Sequence, residues 1–227
     1  MNKILKSGLL EKFPNISHGF LTRVFSDHPE KGIEIKNICT LKQVHGVSIF
    51  DVCLNEDISR SKETSADILM TSLPNVALTI KTADCLPLLF YDPKGNVVAA
   101  AHAGWRGTAK GVASKTVEAM KERYGSNPKD FFVAIGPSIR QCCYEVDETV
   151  YNAFSKKNGF VMAKKKGHWM LDLQEMNRSQ LQEKGIFLEN IWVSEHCTFC
   201  QSTHFYSYRR EGEKTGRQWS FIALRKK

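Results

Sequence analysis

Two short motifs, Thr82-Ala83-Asp84-Cys85 and His102-Ala103-Gly104-Trp105-Arg106-Gly107, flank the tetrapeptide Asp92-Pro93-Lys94-Gly95. An Asp-Pro-x-Gly stretch favours a type I turn: Asp can bond its own backbone, Pro presets the second position and Gly closes the fourth. With 92–95 as the loop, Tyr91 pairs with Asn96, and the antiparallel ladder followed backwards sets Cys85 directly opposite His102. Cross-strand partners have Cβ atoms roughly 4.5–5.5 Å apart, so this thiol and imidazole can share a metal ion or exchange a proton. Asp84 is a candidate proton shuttle by adjacency. In a regular strand, however, it points to the face opposite Cys85, so that role requires a twist or bulge.

A catalytic zinc site uses roughly three protein ligands and keeps a position open, and two His plus one Cys is an attested set. The third ligand must come from elsewhere. His45, in Gln43-Val44-His45-Gly46, competes with a purely structural reading, while His18, His28, His168, His196 and His204 lack an equal argument. Cys197-Thr198-Phe199-Cys200 offers half of a structural zinc site, but a second pair at the usual spacing is absent and Cys142-Cys143 is an awkward substitute. The expectation there is buried small hydrophobes. Gly104 to Gly107 join a strand end to a helix start, where free N–H groups and Arg106 attract an anion; a plain tight turn explains the same residues.

These residues sit in a chain of 227 with ordinary globular composition, 42% hydrophobic and 25% charged. The N-terminal apolar run is cut by Lys6 and no stretch approaches a membrane span, so a soluble, unexported protein is expected. Seven cysteines, two of them adjacent, fit a reducing cytoplasm better than a disulfide framework. The net charge of +8 is spread along the chain, which reads as a solvated surface rather than a nucleic-acid patch, and an anionic small substrate is an equally good use of the excess.

No repeat or linker divides the sequence, so residues 1–227 read as a single domain. Val76, Leu78 and Ile80 alternate with Ala77, Thr79 and Lys81 as in a strand, and the hairpin follows. Thr108 is the expected N-cap of one amphipathic helix carrying Ala109, Ala113, Val117, Met120 and Tyr124 and ending near Gly125. A strand over 131–135, helices over 146–156 and 171–184, and strands over 191–194 and 219–224 complete an α+β pattern.

Seven ordered motifs extend over nearly the whole chain: Gln43-Val44-His45, Thr82 to Pro87, His102 to Gly107, Ile135-Gly136-Pro137, Cys143-Tyr144-Glu145-Val146, Cys197-Thr198 and Ser207-Tyr208-Arg209-Arg210. They resemble the YfiH-like purine nucleoside phosphorylase family, also called laccase-domain or multicopper polyphenol oxidase proteins. His18 to Arg23 resembles that family's opening motif, with Leu21 where Ser is usual, and Ser138 stands where many members have Cys.

The resemblance implies a four-layer α/β/β/α sandwich with mixed sheets and zinc bound by His45, Cys85 and His102. It also implies phosphorolysis of adenosine, inosine, guanosine and methylthioadenosine, and deamination of adenosine. Zinc makes water nucleophilic near neutral pH, which suits attack on C6 of adenine. Arg23 and Arg106 are the expected phosphate ligands, and Trp105 the purine stack. Two rivals remain. A multicopper oxidase needs a histidine-rich trinuclear cluster, and seven histidines without a His-x-His pair do not build one, although a single copper can occupy a two-His, one-Cys site. A metal-free hydrolase or deamidase would use Cys85 as nucleophile and His102 as base.

Overall fold

The computed structural model describes residues 4–25, 29–154 and 161–226, with backbone alone for 161–165. His28 and the end of the helix expected over 146–156 lie outside them. The chain opens with strands β1 (Ile4–Leu5), β2 (Ile16–Leu21), β3 (Asn37–Cys39) and β4 (Ile49–Asp51), then helix α1 (Asn55–Ser61). Next come β5 (Ile68–Thr71), β6 (Val76–Thr82), β7 (Leu86–Asp92) and β8 (Val97–Ala103), then helices α2 (Trp105–Ala109) and α3 (Val112–Tyr124). The remainder is β9 (Phe132–Ile135), β10 (Glu145–Val146), α4 (Glu148–Phe154), β11 (Val161–Lys165), β12 (His168–Leu171), α5 (Leu173–Glu183), β13 (Ile191–Val193), α6 (Tyr208–Glu211) and β14 (Gln218–Leu224).

Two large mixed sheets carry the molecule, ordered β1-β2-β14-β6-β3 and β13-β9-β7-β8-β5-β4, and β10-β12-β11 form a small third. The large sheets pack face to face through Phe20, Leu78, Ile80 and Ile222 on one and Leu69, Leu89, Tyr91 and Val98 on the other. The far face of the six-stranded sheet buries Leu88, Phe90, Ala99 and Ala101 against Val117 and Met120 of α3 and Met176 and Leu181 of α5. Strand β7 is therefore covered on both faces, which is why its seven residues are apolar or buried almost throughout. The alanines of β8 leave room for α3 to lie close. On the outside of the five-stranded sheet, Leu21, Ala77, Phe221 and Ala223 pack with Ile33 and Ile38. This is the α+β arrangement of mixed sheets and helices that the family resemblance implied.

Two local expectations need correction. The hairpin loop is Pro93–Asn96, not 92–95: Asp92 pairs with Val97, and Pro87, not Cys85, lies opposite His102. Asp92 bonds the N–H groups of Lys94 and Gly95 as expected (3.0 Å each), but it does so from within the strand. Asn96 takes a left-handed φ of 51° and belongs to the loop. The second correction concerns the helix after Gly107, which is two helices. Gly111, at φ 80°, breaks the α-helical run between α2 and α3. Thr108 is a buried residue inside α2 that accepts a hydrogen bond from Asn177 (3.0 Å), and Gly104 takes the N-cap position. Gly125 ends α3 in the left-handed conformation expected of a helix stop.

Candidate metal centre and cleft

His102 shares its side of β8 with Val98 and Ala100, so its ring sits at the end of the layer between the two large sheets. Cys85 lies just before β7, directly across from Gly104. Asp84 before it has a φ of 88°, which ends the strand and turns the backbone. The ligand atoms of His45, Cys85 and His102 all fall within 4.8 Å of one another. The two imidazoles meet edge to face with centroids 4.8 Å apart. Gly104 is what permits this approach: a Cβ there would lie 2.9 Å from His45 Nδ1 and 3.0 Å from Cys85 Sγ. Two imidazoles and a thiolate within that span fit one ion at bond lengths of about 2.0–2.3 Å. His45 is exposed, Cys85 half-buried and His102 buried, so the set is open on one side.

Asp67, at the start of β5 and fully buried, organises the site, and sequence reasoning missed it. Its Oδ1 lies 2.7 Å from His102 Nδ1 and accepts from the His45 N–H (3.0 Å); its Oδ2 accepts from Val44 (3.2 Å) and Gly46 (2.7 Å). Burial opposes a charge on Asp67, but His102 and the loop N–H donors outweigh it and hold the carboxyl below its usual range. With the proton on Nδ1 facing Asp67, His102 Nε2 is left to face a metal, the carboxylate–histidine arrangement of many metal sites. The same carboxylate clamps His45, whose φ of 57° is costly for a non-glycine residue. Gln43 clamps the loop from the other side, exchanging two hydrogen bonds of 2.8 Å with the backbone of Lys81 on β6.

Burial resists ionisation of Cys85, yet the charge and hydrogen bonds of His102 and His45 bring its pKa down to about 6. Burial likewise opposes a charge on His102, but Cys85 and Asp67 push it up to about 9. Without metal the two form a thiolate–imidazolium pair.

The centre opens into a cleft of ≈ 980 Å³. Trp105, Tyr144 and Tyr208 supply aromatic surface, and Lys42, Lys62, Lys81, Arg106, Arg209 and Arg217 supply positive charge. Arg106 lies over the Trp105 ring at 4.3 Å and Arg209 over Tyr144 at 5.3 Å. Burial, with Cys85 nearby, raises the Tyr144 pKa, so its phenol keeps its proton. Tyr144 and Arg209 stand in motifs already conspicuous in the sequence, but nothing local pointed them at this cleft.

Arg23 does not reach it. Its guanidinium donates to the Ser202 carbonyl (2.6 Å), lies 3.6 Å from Glu211 and stacks over Tyr206 at 4.5 Å. Asp84 does line the cleft, but its carboxylate accepts from Thr198 Oγ1 (2.6 Å), Ser207 Oγ (3.0 Å) and the Arg209 N–H (2.7 Å). These bonds tie the start of α6 to the metal-side turn. Among the described residues no helix is long and apolar enough to cross a membrane.

Residues 27–225 match the family model described as multi-copper polyphenol oxidoreductase laccase. The chain belongs to this family. It is 42% identical over 165 residues to purine nucleoside phosphorylase YlmD of Bacillus subtilis, covering 71% of this chain and 59% of that protein. It is 37% identical over 194 residues to the YlmD of Geobacillus stearothermophilus, covering 81% and 71%. It is also 35% identical over 203 residues to adenosine deaminase RL5 from an unknown prokaryotic organism, covering 84% and 76%. Among solved structures, YfiH of Bacillus licheniformis superposes with a TM-score of 0.90 at 30% identity, over 99% of this chain and 100% of that one. Laccase-family membership and the two-His, one-Cys set together point to a cleft able to hold a metal ion.

Proposed function

We propose that the cleft binds zinc through His45, Cys85 and His102, phosphorolyses purine nucleosides (adenosine, inosine, guanosine and methylthioadenosine) and deaminates adenosine. One observation carries the reading: the metal-capable donors share a cleft with six cationic side chains, while the Asp84 carboxylate lining it is already taken by three donors. Such a cleft suits a substrate that brings phosphate and an aromatic base together. The names of the relatives, phosphorylases and one deaminase, support the same substrates. We place the reaction in the cytoplasm, where nucleosides, phosphate and reduced thiols coexist.

When bound, the ion supplies Lewis acidity. Asp67 holds the His102 tautomer and the His45 loop. Arg106, Arg209, Lys81 and Arg217 hold phosphate, whose oxygen attacks the ribose anomeric carbon as the bond to purine N9 breaks. Tyr144, protonated across the neutral range, donates a hydrogen bond to the departing base, and Trp105 stacks against it. We assign Asp84 to positioning Arg209, not to proton transfer, because three donors already hold its carboxylate in place.

Arg23→Ala is expected to leave the phosphate KM within about twofold and to cost at most ~1 kcal/mol, its ion pair being partly exposed. Arg209→Ala should raise that KM by about tenfold or more, since it removes a charge-assisted donor. Steady-state kinetics at varied phosphate separates the two. The reaction class is tested by incubating the protein with mixed nucleosides, with and without phosphate, and identifying products by mass spectrometry. Ribose 1-phosphate and free base formed only with phosphate support the assignment; free ribose in its place overturns it.

A single observation favours a second reading: the thiolate–imidazolium pair is what a cysteine hydrolase uses. That chemistry gives no role to His45, held in a strained backbone at the third corner.

A further inference from the structure

Cys142, Cys143, Cys197 and Cys200 come together at the surface, all four sulfurs within 4.8 Å of one another. The expectation of buried small hydrophobes holds for Cys197 but not for exposed Cys200, and the convergence of the four has a local cause. The N–H groups of Cys143 and Tyr144 both bond the Arg140 carbonyl (2.9 and 3.0 Å), so residues 140–144 form a turn. In a turn, successive side chains no longer point to opposite faces as they would in a strand. Cys142 and Cys143 thus converge on one partner, at 3.9 and 3.2 Å from Cys200 Sγ. The second loop is a turn as well, with the Gln201 N–H on the Cys197 carbonyl (3.1 Å), and it brings the two ends of Cys-x-x-Cys together.

We propose that these four cysteines bind a second zinc ion as a structural tetrathiolate site. Four thiolates at about 2.3 Å from one ion are separated by about 3.8 Å, and the two sulfur separations bracket that value. A span this narrow holds a single ion and is too tight for ligands arrayed around an iron–sulfur cluster. The electrostatics agree. Burial opposes ionisation of Cys197, but backbone N–H groups of Arg140, Cys200 and Phe199 lower its pKa. Burial and the neighbouring sulfurs raise that of Cys143.

The ion would clamp the wall of the cleft. Cys143 precedes Tyr144, which lines it, and Cys197 precedes Thr198, whose hydroxyl bonds Asp84 and whose N–H bonds the Ser138 carbonyl (3.0 Å). The proposal does not depend on the nucleoside chemistry, because it shares no residue with the His45, Cys85 and His102 centre.

The test uses the full chain carrying His45→Ala and Cys85→Ala, which vacates the first centre, purified under reductant without chelator. Elemental analysis should find one zinc per chain, and cobalt exchange should give sulfur-to-cobalt charge-transfer absorption; both should vanish when C142S and C200S are added. A metal-free protein, or iron in place of zinc, overturns the proposal. Wild-type protein gives a readout that does not depend on variants folding. Zinc should slow alkylation of the exposed Cys142 and Cys200 about tenfold or more relative to chelated protein, while exposed Cys53 reacts equally in both. Equal rates at Cys142 and Cys200 with and without zinc also overturn it.

Discussion

Asp67→Asn should weaken metal binding at the His45, Cys85 and His102 centre by about 10- to 100-fold. Both carboxylate oxygens of Asp67 accept two hydrogen bonds: Oδ1 from His45 and His102, Oδ2 from Val44 and Gly46. An amide can accept on one side only. With its NH2 toward His102, the ring is driven to carry its proton on Nε2, the atom that must face the ion. With its NH2 toward Val44 and Gly46, those two loop donors are orphaned at about 1–3 kcal/mol each, which loosens the turn on both sides of the strained His45. Either way the loop that carries His45 loses hydrogen bonds, and in the first orientation His102 also presents the wrong tautomer. Competition against a chromophoric chelator measures the affinity, and thermal unfolding of the metal-free variant measures the loss of the loop clamp. An Asp67→Asn protein that binds zinc like the wild type would show that Asp67 does not set the ligands.

The second large effect is on pH. Metal binding needs Cys85 ionised and His102 neutral. Cys85 is depressed to about 6 and His102 raised to about 9, so between these values the pair holds one proton, on His102, that the ion must displace. Affinity should therefore climb about tenfold per pH unit from pH 6 to 9, flatten above 9, and fall about 100-fold per unit below 6, where the thiol also holds a proton. The two steps belong to the pair rather than to either residue. Titration calorimetry in buffers of different ionisation enthalpy should find about one proton released from this pair per ion near pH 7.5. Asp67→Asn removes one of the interactions that raise His102, so its plateau should begin at lower pH. A flat affinity from pH 6 to 9 would mean that no imidazolium precedes the metal.

What was legible in the sequence follows the range of the interactions involved. The Cys85 and His102 juxtaposition survived an error in register, because the true ladder differs by two residues and side chains alternate with period two. The error came from Asn96, whose left-handed backbone moved the loop one residue along. Gly111 hid a helix break in an intact apolar periodicity, since a left-handed glycine leaves the spacing of Ala109, Ala113 and Val117 unchanged. Asp67 was invisible because its partners come from a loop twenty residues earlier and a strand end far downstream. The cysteine cluster failed the usual spacing rule, because the Arg140 turn does what an intervening pair of residues normally does. Arg23 drew attention as an arginine in a resembling motif, and only the packed structure shows its charge spent on Ser202 and Glu211.

The proposed chemistry requires a metal held by His45, Cys85 and His102 and used in catalysis. The most direct measurement is turnover of inosine with phosphate, read as ribose 1-phosphate, by protein stripped with a chelator and then reloaded with zinc. We predict that turnover is lost on stripping and restored on reloading, and that Cys85→Ala is not rescued by zinc. Turnover that survives complete removal of the metal would contradict a metal-dependent reaction and leave the Cys85 and His102 pair to act alone.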